Sequence, residues 1–339
     1  MKNVQKLNRN TPIVSIGMPV FNGEEYVEEA LDSILNQTFS NFELIISDNA
    51  STDRTQAICL NYVSKDPRIR YYRNKKNIGG PMNYNRVFKL SSGKYFKWAA
   101  YDDKIAPEFL MKCVSVLDND PSIVGCHCKT GRIDQYGILH GYFDEGRLKK
   151  IDSPKIHARF RDLLDMYYTT TIFHGVYRAS LFAHSQLHGS YIGADRNLVA
   201  ELSLMGRIYK IPECLFFWRL HPRSYTSIFY GAVRENTLDR LRKETTWWIK
   251  GNSTYFPHCK NFIEYFRSVN RVPLKISERF LCYSQIFGWF LKQGHRFIAK
   301  DIMLFLLQHS DLASKLVQNI PVNLHASIKS KLVHFIEMG

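Results

Sequence analysis

Two apolar runs joined through one amphipathic segment set the strongest limit on what this chain can become. PIVSIGMPV at 12–20 and FELIISD at 42–48 are nearly continuous apolar stretches, one closed by Pro19 and the other by a carboxylate, as expected of strands covered on both faces. Between them, NGEEYVEEALDSILNQTF carries Tyr26, Val27, Ala30, Leu31, Ile34 and Leu35 at helical spacing, and Asn22 with Glu25 three residues later reads as a capping box. Strands connected through a helix can pair in parallel, so the unit is βαβ.

The alternation continues. A helix begins near Ser51, a short strand IRYYR spans 69–73, a helix spans about 81–90, and YFKWAAY at 95–101 is the next strand. This pattern predicts an α/β fold with a mostly parallel, doubly wound sheet, whose ligands bind at the carboxyl ends of the strands. Asp48, Asp102 and Asp103 fall at such ends. Further on, Pro107 opens a helix with apolar positions 109, 110, 113, 114 and 117. VGCHCKT at 124–130 reads as a buried strand, RIDQYGILHGYF as a hairpin, and GADRNLVAELSLMGRIYKIPE as a largely helical segment. The α/β pattern ends near residues 215–224 and amphipathic helices follow. The expected division is a flexible N-terminus over 1–11, an α/β domain over 12–226, and a basic helical C-terminal region over 227–339.

Charge narrows the partners. The net charge is +15, and residues 223–339 hold 17 Lys and Arg against 8 Asp and Glu, so +9 of the surplus lies in that region. Nucleic acid, an anionic membrane surface and phosphate-bearing small molecules all fit such a balance. No helix-turn-helix, RRM or zinc-finger pattern is present, so nucleic acid is not an expected partner. The basic region instead suggests an anionic membrane surface, its alternative being the solvated face of a packed helical subdomain or an oligomer contact. FLCYSQIFGWFL at 280–291 is too short for the roughly 20 residues of a bilayer span and reads as a buried or interfacial helix. The first residues show no apolar signal core, and the seven cysteines form no repeated C-x-x-C frame. Both features predict a cytoplasmic chain, peripheral at the inner membrane face if its basic region docks there. CHCK at 126–129 lacks a second ligand pair and reads as strand rather than zinc site.

Walker, dinucleotide-loop and nucleophile-elbow motifs are absent. What remains is carboxylates at strand ends, which suit a hard cation bridging to phosphate oxygens. The competing reading of Asp102 and Asp103 is a cap for the helix that follows.

Five segments, PVFNGEEYVEEALDSILNQTF, ELIISDNASTD, NIGGPMNYN, GKYFKWAAYDDKIAPEFL and GADRNLVAELSLMGRIYKIPECLFFWRLH, together resemble the family 2 glycosyltransferases, which have the GT-A fold. The likeness runs from about residue 12 to 226. It implies an inverting transfer of a sugar from a nucleoside diphosphate, usually uridine-linked, to an acceptor hydroxyl in cell-surface polysaccharide or glycolipid assembly, the acceptor being a saccharide or a lipid-linked one. It also implies roles for particular residues. Pro19, Asn22 and Glu24 would lie beside the nucleotide, Asp48 would bind the base, and Asn77 and Gly79 would form the loop near the nucleotide. Asp103 would hold a divalent cation, Mn²⁺ or Mg²⁺, in a DXD-like motif, with Asp102 nearer the ribose or the waters of the metal. Asp195 would be the general base, against the alternative of a helix cap. His221 would approach the metal or diphosphate, and Arg219 is a candidate to neutralise the leaving group. The chain departs from the family pattern in three places. Ala100 and Ala194 stand where relatives carry acids, and Asn83-Tyr84-Asn85 stands where many carry A-R-N. An alternative function is therefore a nucleotide-sugar-binding module with impaired catalysis.

Overall fold

The structure is a computed structural model and describes residues 11–143, 148–164, 170–191, 193–224, 256–299 and 301–302. The expectations for the flexible N-terminus and for segments 225–255 and 303–339 lie outside these residues, save at Thr11.

The first strand, β1 (Val14–Val20), and β2 (Phe42–Asp48) are buried at all seven positions, which is why both read as continuous apolar runs. They pair in parallel from Val14 opposite Phe42 to Val20 opposite Asp48. The connecting helix α1 (Val27–Leu35) buries Val27, Ala30, Leu31 and Ile34. Its start corrects the capping-box reading. The first turn closes with the Tyr26 and Val27 N–H groups donating to the Gly23 carbonyl, and no side chain caps it. Asn22 instead sits at φ 51 and spends its side chain elsewhere.

The helix α2 (Thr55–Val63) leads to β3 (Ile69–Arg73), and α3 (Gly80–Lys89) leads to β4 (Tyr95–Trp98). Gly17 of β1 is glycine because α3 comes down on it; a Cβ there would lie 2.6 Å from a Val87 methyl. The remaining elements are β5 (Lys104–Ile105), α4 (Phe109–Asn119), β6 (Ile123–Ile133), β7 (Leu139–Tyr142), α5 (Ile156–Leu164), a 3₁₀ turn (Thr170–His174), β8 (Val176–Arg178), α6 (Ala179–Phe182), α7 (Ala194–Met205) and β9 (Arg207–Arg219). Two further helices, α8 (Pro257–Arg271) and α9 (Ile276–Trp289), are followed by a π turn (Phe290–Gly294).

The described strands form one nine-stranded mixed sheet in the order β3-β2-β1-β4-β8-β6-β9-β5, with β7 beside β6. β1 to β4 are parallel, and β8 runs antiparallel to both β4 and β6. The expected hairpin is β6 with β7, joining Ile133 to Leu139. Residues 126–129, weighed above as a zinc site, are part of β6, where the side chains of Cys126 and Cys128 lie in the core. One apolar cluster lies under α1, α2 and α4. The other holds Phe96 and Trp98 of β4 together with Leu198 of α7, Tyr265 of α8 and Ile286 of α9. The two C-terminal helices therefore share the core of the sheet. Among the described residues no helix is long and apolar enough to cross a membrane.

Candidate active site

The chain leaves β1 toward β2 on one side and returns from β3 to β4 on the other, so the carboxyl ends of β1 and β4 flank a topological switch point. Pro19 is paired opposite Ser47 within the sheet, and the loop after Val20 is stitched to the start of α2. Asn22 donates its N–H to the Ser51 hydroxyl at 2.9 Å and accepts the Thr52 N–H at 2.8 Å. Gly23 donates to the Thr55 hydroxyl, Glu24 donates to Asp53, and the Glu24 carboxylate accepts the Arg54 N–H. Asp53 also accepts the Thr55 N–H and hydroxyl. Partial burial opposes its ionisation, but these donors outweigh it and hold its carboxyl below the usual range.

Asp48, expected at the base, is fully buried. One oxygen accepts the Ser51 N–H at 2.8 Å; the other accepts the Tyr71 hydroxyl at 2.6 Å and Arg73 at 3.3 Å. Its oxygens thus already serve the protein. Next to it lies an amide ladder. Asn49 donates to the Asn77 side-chain oxygen, which also accepts the Gly79 N–H, and Gly79 itself holds φ 86 at the start of α3. Asn83 donates to the Ser47 carbonyl and accepts the Ser47 hydroxyl and the Asn74 amide, tying α3 to the end of β2.

Asp102 and Asp103 part company. Asp102 meets Nε2 of His221 through Oδ2 at 3.0 Å, and its side chain keeps 17% exposure while that of His221 keeps 2%. Tyr26 packs on the imidazole at 4.5 Å between ring centroids. Asp103 turns inward, with Oδ1 accepting the Arg219 N–H at 2.9 Å. Burial, then the neighbouring Asp102 charge, push its carboxyl well up toward the neutral form. The cause is β5, which begins one residue later, pairs with β9, and draws Asp103 onto the β9 backbone. The geometry therefore moves the outward-facing role from Asp103, where the resemblance put it, to Asp102.

Arg219 is likewise committed. Its guanidinium is fully buried and donates to the carbonyls of Asp102, Asp134 and Gln135 and to Glu29. It ties β9 to α1 and is not placed to meet a diphosphate. Nearby, Arg223 is exposed and ion-paired with Glu25.

Asp195 lies in the first turn of α7, partly buried, and it does not cap the helix: the N-cap is Gly193, at φ 81, with no side-chain cap. Tyr84 feels its charge together with those of the two carboxylates in the turn between β4 and β5. Burial pushes the Tyr84 phenol up, and the charges of Asp102, Asp103 and Asp195 all push it further. The ring of Tyr84 packs 5.2 Å from His188, whose imidazole is held down by burial and drawn partly back by Asp195. Asn85 and His188 exchange two hydrogen bonds of 2.9 Å, clamping α3 to the segment before α7. Tyr84, His188 and Arg223 escaped the sequence reading as site residues, although Asn83-Tyr84-Asn85 had already stood out as a departure. Trp98 is a core aromatic, stacked on Phe173 at 4.6 Å.

Among the described residues no group of three or more His, Cys, Asp or Glu encloses a metal position. The converging carboxylate of Asp102 and imidazole of His221 still fit a hard divalent cation. Such an ion often reaches the protein through one or two ligands and completes its shell with water and phosphate.

A family model described as glycosyl transferase family 2 matches residues 15–183. An uncharacterized glycosyltransferase of Rickettsia typhi is 38% identical over 265 residues, covering 74% of this chain and 79% of its own. Another, of Haemophilus influenzae, is 24% identical over 337 residues, covering 97% of this chain and 91% of its own. Among solved structures, S. aureus TarS 1–349 in complex with UDP-GlcNAc superposes with a TM-score of 0.54 at 15% identity, covering 91% of this chain and 76% of that one.

Proposed function

This chain belongs to glycosyl transferase family 2 and is a glycosyltransferase, and from that premise we propose that it moves a sugar from a uridine diphosphate donor to an acceptor hydroxyl with inversion at the anomeric carbon. Two features support the reading: Asp102, held by His221 in the turn between β4 and β5, and Asp195, in the first turn of α7, whose charges both push up the Tyr84 phenol that packs beside His188. The donor nucleotide is assigned to the surface where the loop after β1, the start of α2 and the Asn49–Asn77 ladder converge. That TarS, of the same fold, was solved with UDP-GlcNAc supports uridine as the base to test first.

In this reaction Asp195 accepts the proton of the acceptor hydroxyl as its oxygen forms the new bond to the anomeric carbon. The bond from that carbon to the diphosphate breaks on the opposite face, and its electron pair leaves with the diphosphate. Asp102 and His221 are the residues that would hold a divalent cation, whose charge supplies electrostatic stabilisation of the leaving group. Arg223, exposed at the same rim, is the assigned partner of the diphosphate in place of the buried Arg219.

Melting of the full chain with UDP-, GDP-, dTDP- and CMP-sugars in the presence of Mn²⁺ tests the donor, and release of the free nucleotide (UDP, GDP, dTDP or CMP) from whichever binds tests the reaction. The expected result is stabilisation by a uridine donor and turnover that Asp195→Asn abolishes while keeping the stabilisation. Retention of most activity by Asp195→Asn would remove the base assignment. Binding with no hydrolysis or transfer would favour a binding module instead.

A further inference from the structure

The helix α9 is apolar on two opposite sides. Cys282, Ile286 and Trp289 are buried in the shared core, where α9 packs on α5 and α8. On the other side Ile276, Phe280 and Phe287 stand 73%, 68% and 58% exposed, and Leu291 of the π turn that follows stands 60% exposed. Their spacing of four, seven and four residues places them along one stripe, roughly 22 Å long at the helical rise. Single exposed apolar residues are ordinary on a protein surface, but a line of four large ones marks an interaction site.

The surrounding charge identifies the partner. Lys275 is exposed at one end of the stripe, and Lys292, His295 and Arg296 are exposed at the other. Only two carboxylates occur from residue 272 to 302. Glu278 meets His157 of α5 at 3.2 Å, and Asp301 is buried against the start of α8. Neither offsets the cationic ends. A second copy is a poor occupant, since antiparallel pairing would set Lys275 against Lys292 and Arg296, and parallel pairing would set each cation against itself. An apolar stripe with cationic ends matches the interface of an anionic bilayer, where rings enter the acyl boundary and ammonium groups meet phosphates. We propose that this face of α9 docks the chain onto an anionic phospholipid surface.

The test is co-sedimentation of the full chain with phosphatidylcholine vesicles, with and without phosphatidylglycerol. Binding is expected only with the anionic lipid and should weaken with added salt. The double variant Phe280→Ser/Phe287→Ser should lose affinity by about tenfold or more, as should Lys292→Glu/Arg296→Glu. Unchanged melting, and unchanged stabilisation by nucleotide sugar, would show both variants folded and keep this test separate from that of the transfer reaction. Equal binding to neutral and anionic vesicles, or to neither, overturns the proposal. So does light scattering that finds a dimer which Phe280→Ser/Phe287→Ser converts to a monomer.

Discussion

Neighbouring aspartates 102 and 103 are chemically alike and structurally opposite. The sequence announces two carboxylates after a buried strand, but which one stays partly exposed depends on β5. That strand is two residues long and carries no period of its own, so its pairing with β9 was not legible. The structure makes distinct predictions for the two. Asp102→Asn should lower kcat by about 10²- to 10³-fold, the usual cost of removing one electrostatic contributor, and weaken the response to Mn²⁺. Asp103→Asn keeps an acceptor for the Arg219 N–H and replaces a carboxyl already pushed toward neutrality, so kcat should change by less than about tenfold. Diphosphate release across a Mn²⁺ titration checks both, and a reversed order returns the cation to Asp103. A second residue-scale prediction concerns Lys97, buried in β4, where desolvation lowers its ammonium to about 8. Between that value and the 10.4 of a free lysine the unfolded chain binds the extra proton, so this group adds stability as pH rises through the window. The stability of the parent minus that of Lys97→Met should therefore grow from pH 7.5 to pH 10, by roughly 3 kcal/mol at full effect. Urea midpoints at the two pH values measure it, and a constant difference refutes it.

Legibility did not follow length alone: β4, with four residues, was read from its aromatic run, whereas α5 was missed and the first half of β9 was read as part of a helical segment. β1 and β2 are buried on both faces and could be read as apolar runs. α6 and β8 have four and three residues, and the place of β8 in the sheet is decided by its pairing with β4 and β6. The supposed capping box failed for a related reason: a polar side chain near a helix start can serve another element, and Asn22 serves α2. That stitching makes Asp53 a joint between elements, since it accepts from the Glu24 backbone on one side and from Thr55 on the other. Asp53→Ala should cost about 1–2 kcal/mol of stability, as loss of a helix-start acceptor does. By freeing the loop that flanks the proposed nucleotide surface, it should also raise the donor KM more than it lowers kcat. Denaturant melts together with steady-state kinetics test this, and an unaltered KM would detach the loop from donor binding.

At the scale of the whole molecule, the sequence suggested a boundary near residue 226, because the α/β alternation stops and basic helices begin. What it could not show is where those helices turn their buried faces, since helical spacing marks a face without naming its partner. They pack onto α5 and α7 and enlarge one core cluster. The seam is also polar. Glu201 of α7 has a fully buried side chain and receives two bonds from Arg271 of α8, at 2.6 and 3.2 Å, while Asn197 of α7 accepts from Ser268 of α8. Burial raises the Glu201 carboxyl even so, the arginine offsetting only part of the desolvation. Arg271→Ala would leave that carboxylate buried without its main cation and should destabilise by about 3 kcal/mol or more. Glu201→Leu/Arg271→Leu removes both charges from the seam and should recover most of the loss. Because the core runs through the seam, one unfolding transition should report the loss and the recovery alike in urea. Two separate transitions, with Arg271→Ala shifting only one, would instead mean that the C-terminal helices unfold independently of the sheet they cover.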